Sequence, residues 1–145
     1  MSNIVVSPHS LSTLAGINIL RNGGNAIDAA IATNIVQGVV APETCGIGGD
    51  LFALIWINGK SQPYCLDSSG YAGSNVDLSS LSSYTNIPLD HPMSVTVPGA
   101  VRGWYAMHER FGSLKMKDLL SQAIEICINF FHSFIVEGLT IEVQI

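Results

Sequence analysis

Charge is scarce in this chain. Asp, Glu, Lys and Arg together make up 12% of its 145 residues, about half the share of an ordinary soluble domain. The six Lys and Arg, at 21, 60, 102, 110, 115 and 117, are scattered and outnumbered by eleven acidic residues. Without a basic stripe to displace counterions from a phosphate backbone, nucleic acid is excluded as a partner. Cysteine is equally uninformative: residues 45, 65 and 127 are odd in number and far apart. That rules out a disulfide framework, and the lack of any CxxC or HxxxH rules out a recognisable zinc site. The expectation is three reduced, part-buried thiols in the cytoplasm, with no metal or other cofactor. The opening "MSNIVVSPHS" lacks the basic region and apolar core of a secretory leader. The longest apolar stretch, 26–41, is interrupted by Asp28, Asn34 and Gln37. It is too short and too polar to span a bilayer, so no membrane partner is expected.

What the chain does have is apolar surface. At 48% hydrophobic residues it has ample material for a core. So much apolar surface with so little charge suits the inner layers of a larger assembly, or one piece of a longer polypeptide.

Periodicity organises that material. Residues 3–6 read as a short strand or extended lead-in, and Ser7-Pro8 offers a helix start. Leu11, Leu14, Ala15, Ile17 and Leu20 then follow helical spacing up to Gly23-Gly24. Asn25 caps a second helix over 26–40, with Asp28 near its positive end and Pro42 as its stop. This helix is apolar nearly all round and rich in alanine, which suits a layer buried against a sheet. After "GIGGD", the run "LFALIWI", the pair Asn58-Gly59 and "KSQPYCLD" read as a hairpin whose second strand, because of Pro63, is an edge or bulged. Residues 68–92 read as a polar loop with a short helix near 78–84, and 93–97 as a strand. Helices over 100–111 and 115–129 follow. Helices layered on an antiparallel or mixed sheet make this an α+β chain.

Complete catalytic sets are absent. The "GIGGD" glycines, 46, 48 and 49, follow a helix and open a strand, the reverse of a phosphate loop, and Asp50 would repel phosphate. Their expected role is a tight backbone crossing from helix layer to sheet. Cys45 has four candidate bases, His9, His91, His108 and His132, and no spacing selects one. No GxSxG elbow occurs, and no pair of carboxylates is placed for acid–base work. Asp67, Ser68, Ser69, Gly70 and Tyr71 would line a cleft at a strand end or simply form a polar turn. Arg102, near a helix start, reads as a solvated side chain.

Three motifs in order nonetheless carry a signature: "GGNAIDAA", "GIGGD" and "VPGAVRG". With their surroundings they resemble the N-terminal part of the gamma-glutamyltranspeptidase (glutathione hydrolase) family. The resemblance covers roughly residues 4–129. It divides the chain into 1–129, a large-subunit segment, and 130–145, a divergent tail with no assignable domain.

The resemblance implies part of the αββα sandwich of an N-terminal nucleophile hydrolase. Such precursors cut themselves into a large and a small subunit, and the new N-terminal threonine of the small subunit is nucleophile and, through its amine, general base. An oxyanion hole stabilises the tetrahedral intermediate. The reaction is hydrolysis of gamma-glutamyl amides, or transfer of the gamma-glutamyl group to an acceptor amine. The implied partners are a gamma-glutamyl or other acyl-amide small molecule and the small subunit of the same precursor.

None of the threonines here (13, 33, 44, 85, 96 and 140) sits in a motif like the family's cleavage site, so the chain is expected to be inactive alone. The family's substrate-binding arginine, which clamps an alpha-carboxylate bidentately, falls on Ser69 in the transpeptidase-type register. In the acylase-like branch it falls on Tyr71. Neither is cationic, and "GGDLFALIW" and "LDSSGYA" are closer to that branch. The alternative reading is a non-catalytic remnant or interaction module that keeps only the packing. The coding DNA downstream of residue 145 separates the two.

Overall fold

The computed structural model describes residues 3–88 and 91–136. The chain forms two bodies, one holding residues up to Gly46 and from His108 onward, the other Ile47–Met107.

The first body is helical. Helix α1 spans Ser10–Arg21 and α2 spans Ala26–Val40. The start of α1 falls two residues later than Pro8 suggested, because the His9 imidazole caps it, accepting from Leu11 N at 3.2 Å. Its end follows the sequence: Gly23 N donates to Leu20 O and Gly24 N to Ile19 O, a Schellman pair with Gly23 at φ 88°. The buried face of α1 is Ser12, Ala15, Gly16 and Ile19, not the leucine stripe. Leu11 and Leu14 are partly exposed, while a Cβ on Gly16 would collide with Thr33 Oγ1 of α2. Small residues were needed where the two helices cross closely.

Helix α2 begins with a full capping box. Asn25 Oδ1 accepts from Ile27 N and Asp28 N, and Asp28 Oδ2 accepts from Asn25 N. Its buried residues include Ile31, Ala32, Ile35 and Val36. The helices that pack on it are α1 and α4, the latter spanning Met116–Val136. Helix α4 runs past Asn129, where an end and a possible strand were expected. The rest of the tail expected to diverge, 137–145, lies outside the described residues.

In the second body, strands β1 (Leu51–Ile55) and β2 (Tyr64–Ser68) pair antiparallel with Leu51 opposite Ser68 and Ile55 opposite Tyr64. The hairpin is looser than Asn-Gly alone suggested. Lys60 N donates to Ile57 O, and only Gly59 has positive φ, at 80°. That is a type II turn, which needs one left-handed residue where type I′ needs two. Pro63, unable to donate to the ladder, stands just before β2. A 3-10 turn over Leu78–Leu81 matches the short helix expected there. Residues 92–94 form a second 3-10 turn where a strand was expected, because the Pro92 ring fixes φ and the His91 side chain caps Met93 N. Helix α3, Ala100–Phe111, has the bounds expected from the sequence.

Candidate functional site

In the second body, three stretches far apart in sequence meet at the open end of the hairpin. Gly49 O accepts from Gly99 N at 3.1 Å and Ala100 N at 2.9 Å, tying the glycine loop to the first turn of α3. Beside it, Asp50 Oδ1 accepts from Thr96 Oγ1 at 3.1 Å. Ser68 Oγ at the end of β2 donates to Gly99 O at 2.8 Å, and Val97 N donates to Tyr71 O at 2.9 Å. Thus "GGD", "SSGY" and "TVPGA" form one stitched cluster.

Two glycines make this approach feasible. A Cβ on Gly70 would fall inside the contact radius of Val97 O, and its φ of 76° is already left-handed. A Cβ on Gly99 would meet Ser68 O in the same way. One turn further on, Gly103 brings α3 close to Leu51 and Ser68. The glycines of "GIGGD" behave differently. None has positive φ, and a Cβ on Gly46 or Gly48 would meet nothing within 4 Å. The tight crossing expected there is not what holds the loop. Its anchor is the Gly49 carbonyl.

Ser69 and Tyr71 both lie in this cluster. Ser69 is half-buried, and its N–H donates to Asp67 Oδ1 at 3.0 Å in an Asx turn. Tyr71 is 86% exposed, with its carbonyl engaged by Val97. Arg102 is exposed, in keeping with a solvated side chain.

The histidines described with side chains serve helix ends and loops. His9 and His91 cap, and His108 Nε2 donates to Leu114 O at 2.7 Å. Cys45 is half-buried, Cys65 exposed and Cys127 half-buried, all free. Among the described residues no group of three or more His, Cys, Asp or Glu is placed to hold a metal. Among them, too, no helix is long and apolar enough to cross a membrane.

Asp28, in the first body, is a carboxyl whose surroundings shift its charge balance. Burial alone would raise its pKa. The Ser113 hydroxyl, at 2.5 Å, and the N–H groups of Asn25, Ser113 and Leu114 outweigh that and hold the carboxyl below its ordinary 3.8. Asn25 Nδ2 adds a bond to Phe111 O at 2.6 Å. Sequence reasoning found the cap but missed Ser113, 85 residues away, because no local pattern announces a long-range donor.

The order of these motifs and their convergence have a counterpart among known proteins. The family model of gamma-glutamyltranspeptidase matches residues 12–132. The chain belongs to the gamma-glutamyltranspeptidase family. It is 38% identical over 129 residues to the glutathione hydrolase-like YwrD proenzyme of Bacillus subtilis, covering 88% of this chain and 25% of that one. Among solved structures it is similar to Helicobacter pylori gamma-glutamyltranspeptidase, with a TM-score of 0.78 and 30% identity over 87% of this chain and 37% of that one. It is also similar to a cephalosporin acylase from Bacillus halodurans, with a TM-score of 0.74 and 34% identity over 86% of this chain and 25% of that one. These neighbours carry the N-terminal nucleophile hydrolase fold, and the helices and small antiparallel sheet here are a partial α+β piece of it. The chain spans about a quarter of the length of the Bacillus subtilis relative.

Proposed function

We propose that this chain is the N-terminal segment, residues 1–129, of the large subunit of a self-processing amide hydrolase or gamma-glutamyl transferase, with 130–145 a divergent tail. One observation carries this reading: the family match over residues 12–132 lies on a chain a quarter as long as a relative described as a proenzyme. In the family that the motifs resemble, the nucleophilic threonine begins the small subunit. The chemistry therefore needs a polypeptide that this chain does not contain. The segment's contribution is scaffold, and through the stitched cluster one wall of the substrate site.

That wall offers no cation at Ser69 or Tyr71, and its charged members, Asp50 and Asp67, are acidic. On this reading Ser69 in the transpeptidase-type register, or Tyr71 in the acylase-like one, takes the place of the family's carboxylate-binding arginine, and neither supplies a charge-assisted, bidentate pair. A substrate held here would not have its carboxylate clamped by a cation, which favours an acylase-like amide over a gamma-glutamyl donor. The three free cysteines support a reducing, cytoplasmic setting.

The test is turnover of gamma-glutamyl-p-nitroanilide by purified residues 1–145. No release of nitroaniline is expected, and measurable release would overturn the claim that the nucleophile lies elsewhere.

A further inference from the structure

Tyr71, at the open end of the hairpin, combines a side chain in solvent with a backbone that has no freedom. The residue is exposed. Its carbonyl accepts from Val97 N at 2.9 Å, and Gly70 before it holds a left-handed φ of 76° against Val97 O, with no room for a Cβ. One residue earlier, Ser69 N is held by Asp67 Oδ1 at 3.0 Å. An aromatic ring with two rotatable bonds, carried on so constrained a backbone, has little entropy left to lose when a ligand covers it.

The stretch that pins Tyr71 is itself two-sided. Thr96 is half-buried and its hydroxyl donates to Asp50 Oδ1 at 3.1 Å, while its neighbours Val95 and Val97 are exposed. Extended backbone, such as Val95 has at φ −83° and ψ 121°, sends alternate side chains to opposite sides. The two valines therefore share the side that Thr96 turns away from. Tyr71, Val95 and Val97 make an apolar group on a cluster whose other members are serines, glycines and two acids. Those acids, Asp50 and Asp67, each have one oxygen taken by a loop donor, Thr96 Oγ1 or Ser69 N. Their negative charge is fixed in place, and it repels a carboxylate brought to the same wall.

We propose that Tyr71 is the specificity-determining residue of this wall, and that the acyl group it receives is uncharged and aromatic, an arylacetyl amide being the simplest case. The acyl ring stacks on the Tyr71 ring, with Val95 and Val97 beside it. Asp50 and Asp67 disfavour acyl chains that carry a carboxylate and no cationic group, such as glutaryl. The inference rests on the proposed function in that the stitched cluster is one wall of the substrate site. The bond cleaved is the same amide, and only the acyl group is specified. It also gives the left-handed Gly70 a purpose beyond packing, since that glycine sets the direction in which Tyr71 leaves the cluster.

The experiment uses a chimera in which the 145-residue chain replaces the matching segment of the Bacillus subtilis relative. It is assayed with phenylacetyl-, acetyl-, glutaryl- and gamma-glutamyl-p-nitroanilide. The phenylacetyl compound is expected to exceed the other three in kcat/KM by about tenfold or more. Tyr71→Ala should lower the phenylacetyl value about tenfold more than the acetyl one, mainly through KM, and Tyr71→Phe should keep the preference. A preference for glutaryl or gamma-glutamyl would overturn the proposal while leaving the hydrolase reading standing. Equal losses on all four substrates in Tyr71→Ala would reduce Tyr71 to a structural role and overturn it too. If no amide is cleaved, the hydrolase reading fails, and NMR titration of the chimera with phenylacetamide decides the site. Perturbed Tyr71 ring resonances, assigned by their loss in Tyr71→Phe, would uphold it, and unmoved ones would overturn it.

Discussion

The helical body and the hairpin body leave different things unmet. In the helical body α1 and α4 pack on α2, and what is left unmet is polar: the buried oxygens of Thr33 and Gln37, which have no hydrogen-bond partner. In the hairpin body the backbone is well stitched, and what stays open is apolar. Phe52 and Leu54 on one face of β1, and Trp56 just past its end, are 68%, 77% and 64% exposed. A free-standing domain would cover such a face, since a two-stranded hairpin is marginal in water. The comparison teaches that both bodies are folded locally and unfinished globally, one by hydrogen bonds and the other by hydrophobic burial.

The sharpest way to break this contrast is to attack the stitching. Gly70→Val combines a left-handed φ with a collision against Val97 O. It is expected to cost about 4 kcal/mol, enough to lose cooperative denaturant unfolding of the hairpin body. An unaltered midpoint would show that the cluster does not hold that body together.

Asp28→Ala tests the other body. It removes the α2 capping box and the Ser113 link, with an expected loss of about 3 kcal/mol in chemical denaturation. The same carboxylate predicts an acid limb. Its folded pKa is depressed, so the stability it lends is complete above the unfolded value and is lost as pH falls through the folded one. Wild-type stability should therefore decline below about pH 4, and Asp28→Ala should flatten that decline. An acid limb identical in both proteins would remove Asp28 from the account.

A smaller effect is expected from His108→Ala, which deletes the bond to Leu114 O. About 1 kcal/mol in the denaturation midpoint is expected, and no change would mean that Asp28 alone fixes this loop. The smallest effect is the most diagnostic. Leu54→Lys on the exposed hairpin face should change stability of the 145-residue chain by less than about 0.5 kcal/mol, while reducing its aggregation in light scattering. A large loss of stability would show that this face is already covered.

Much of this was legible beforehand, because helix ends are local. Asn25 with Asp28, Gly23-Gly24 and Pro42 marked the ends of α1 and α2 through hydrogen bonds that close within a few residues. Helix α3 emerged with its expected bounds for the same reason. Strand pairing was less legible. Asn58-Gly59 announced a turn, but its type and the late start of β2 depended on Pro63 and on the ladder itself. The residues 93–97 look like a strand by propensity, yet Pro92 and the His91 cap turned their start into a 3-10 turn.

The sequence by itself determined the family, through three short motifs in order, and the α+β character, through periodicity. Only the tertiary structure decided why those motifs exist. Gly49, Gly70 and Gly99 meet because backbone atoms from residues 49, 68, 97 and 99 crowd into one place, and such crowding is invisible along a chain. The same holds for Asp28 and Ser113: capping is a matter of neighbours in sequence, whereas satisfying a buried carboxylate is a matter of neighbours in space.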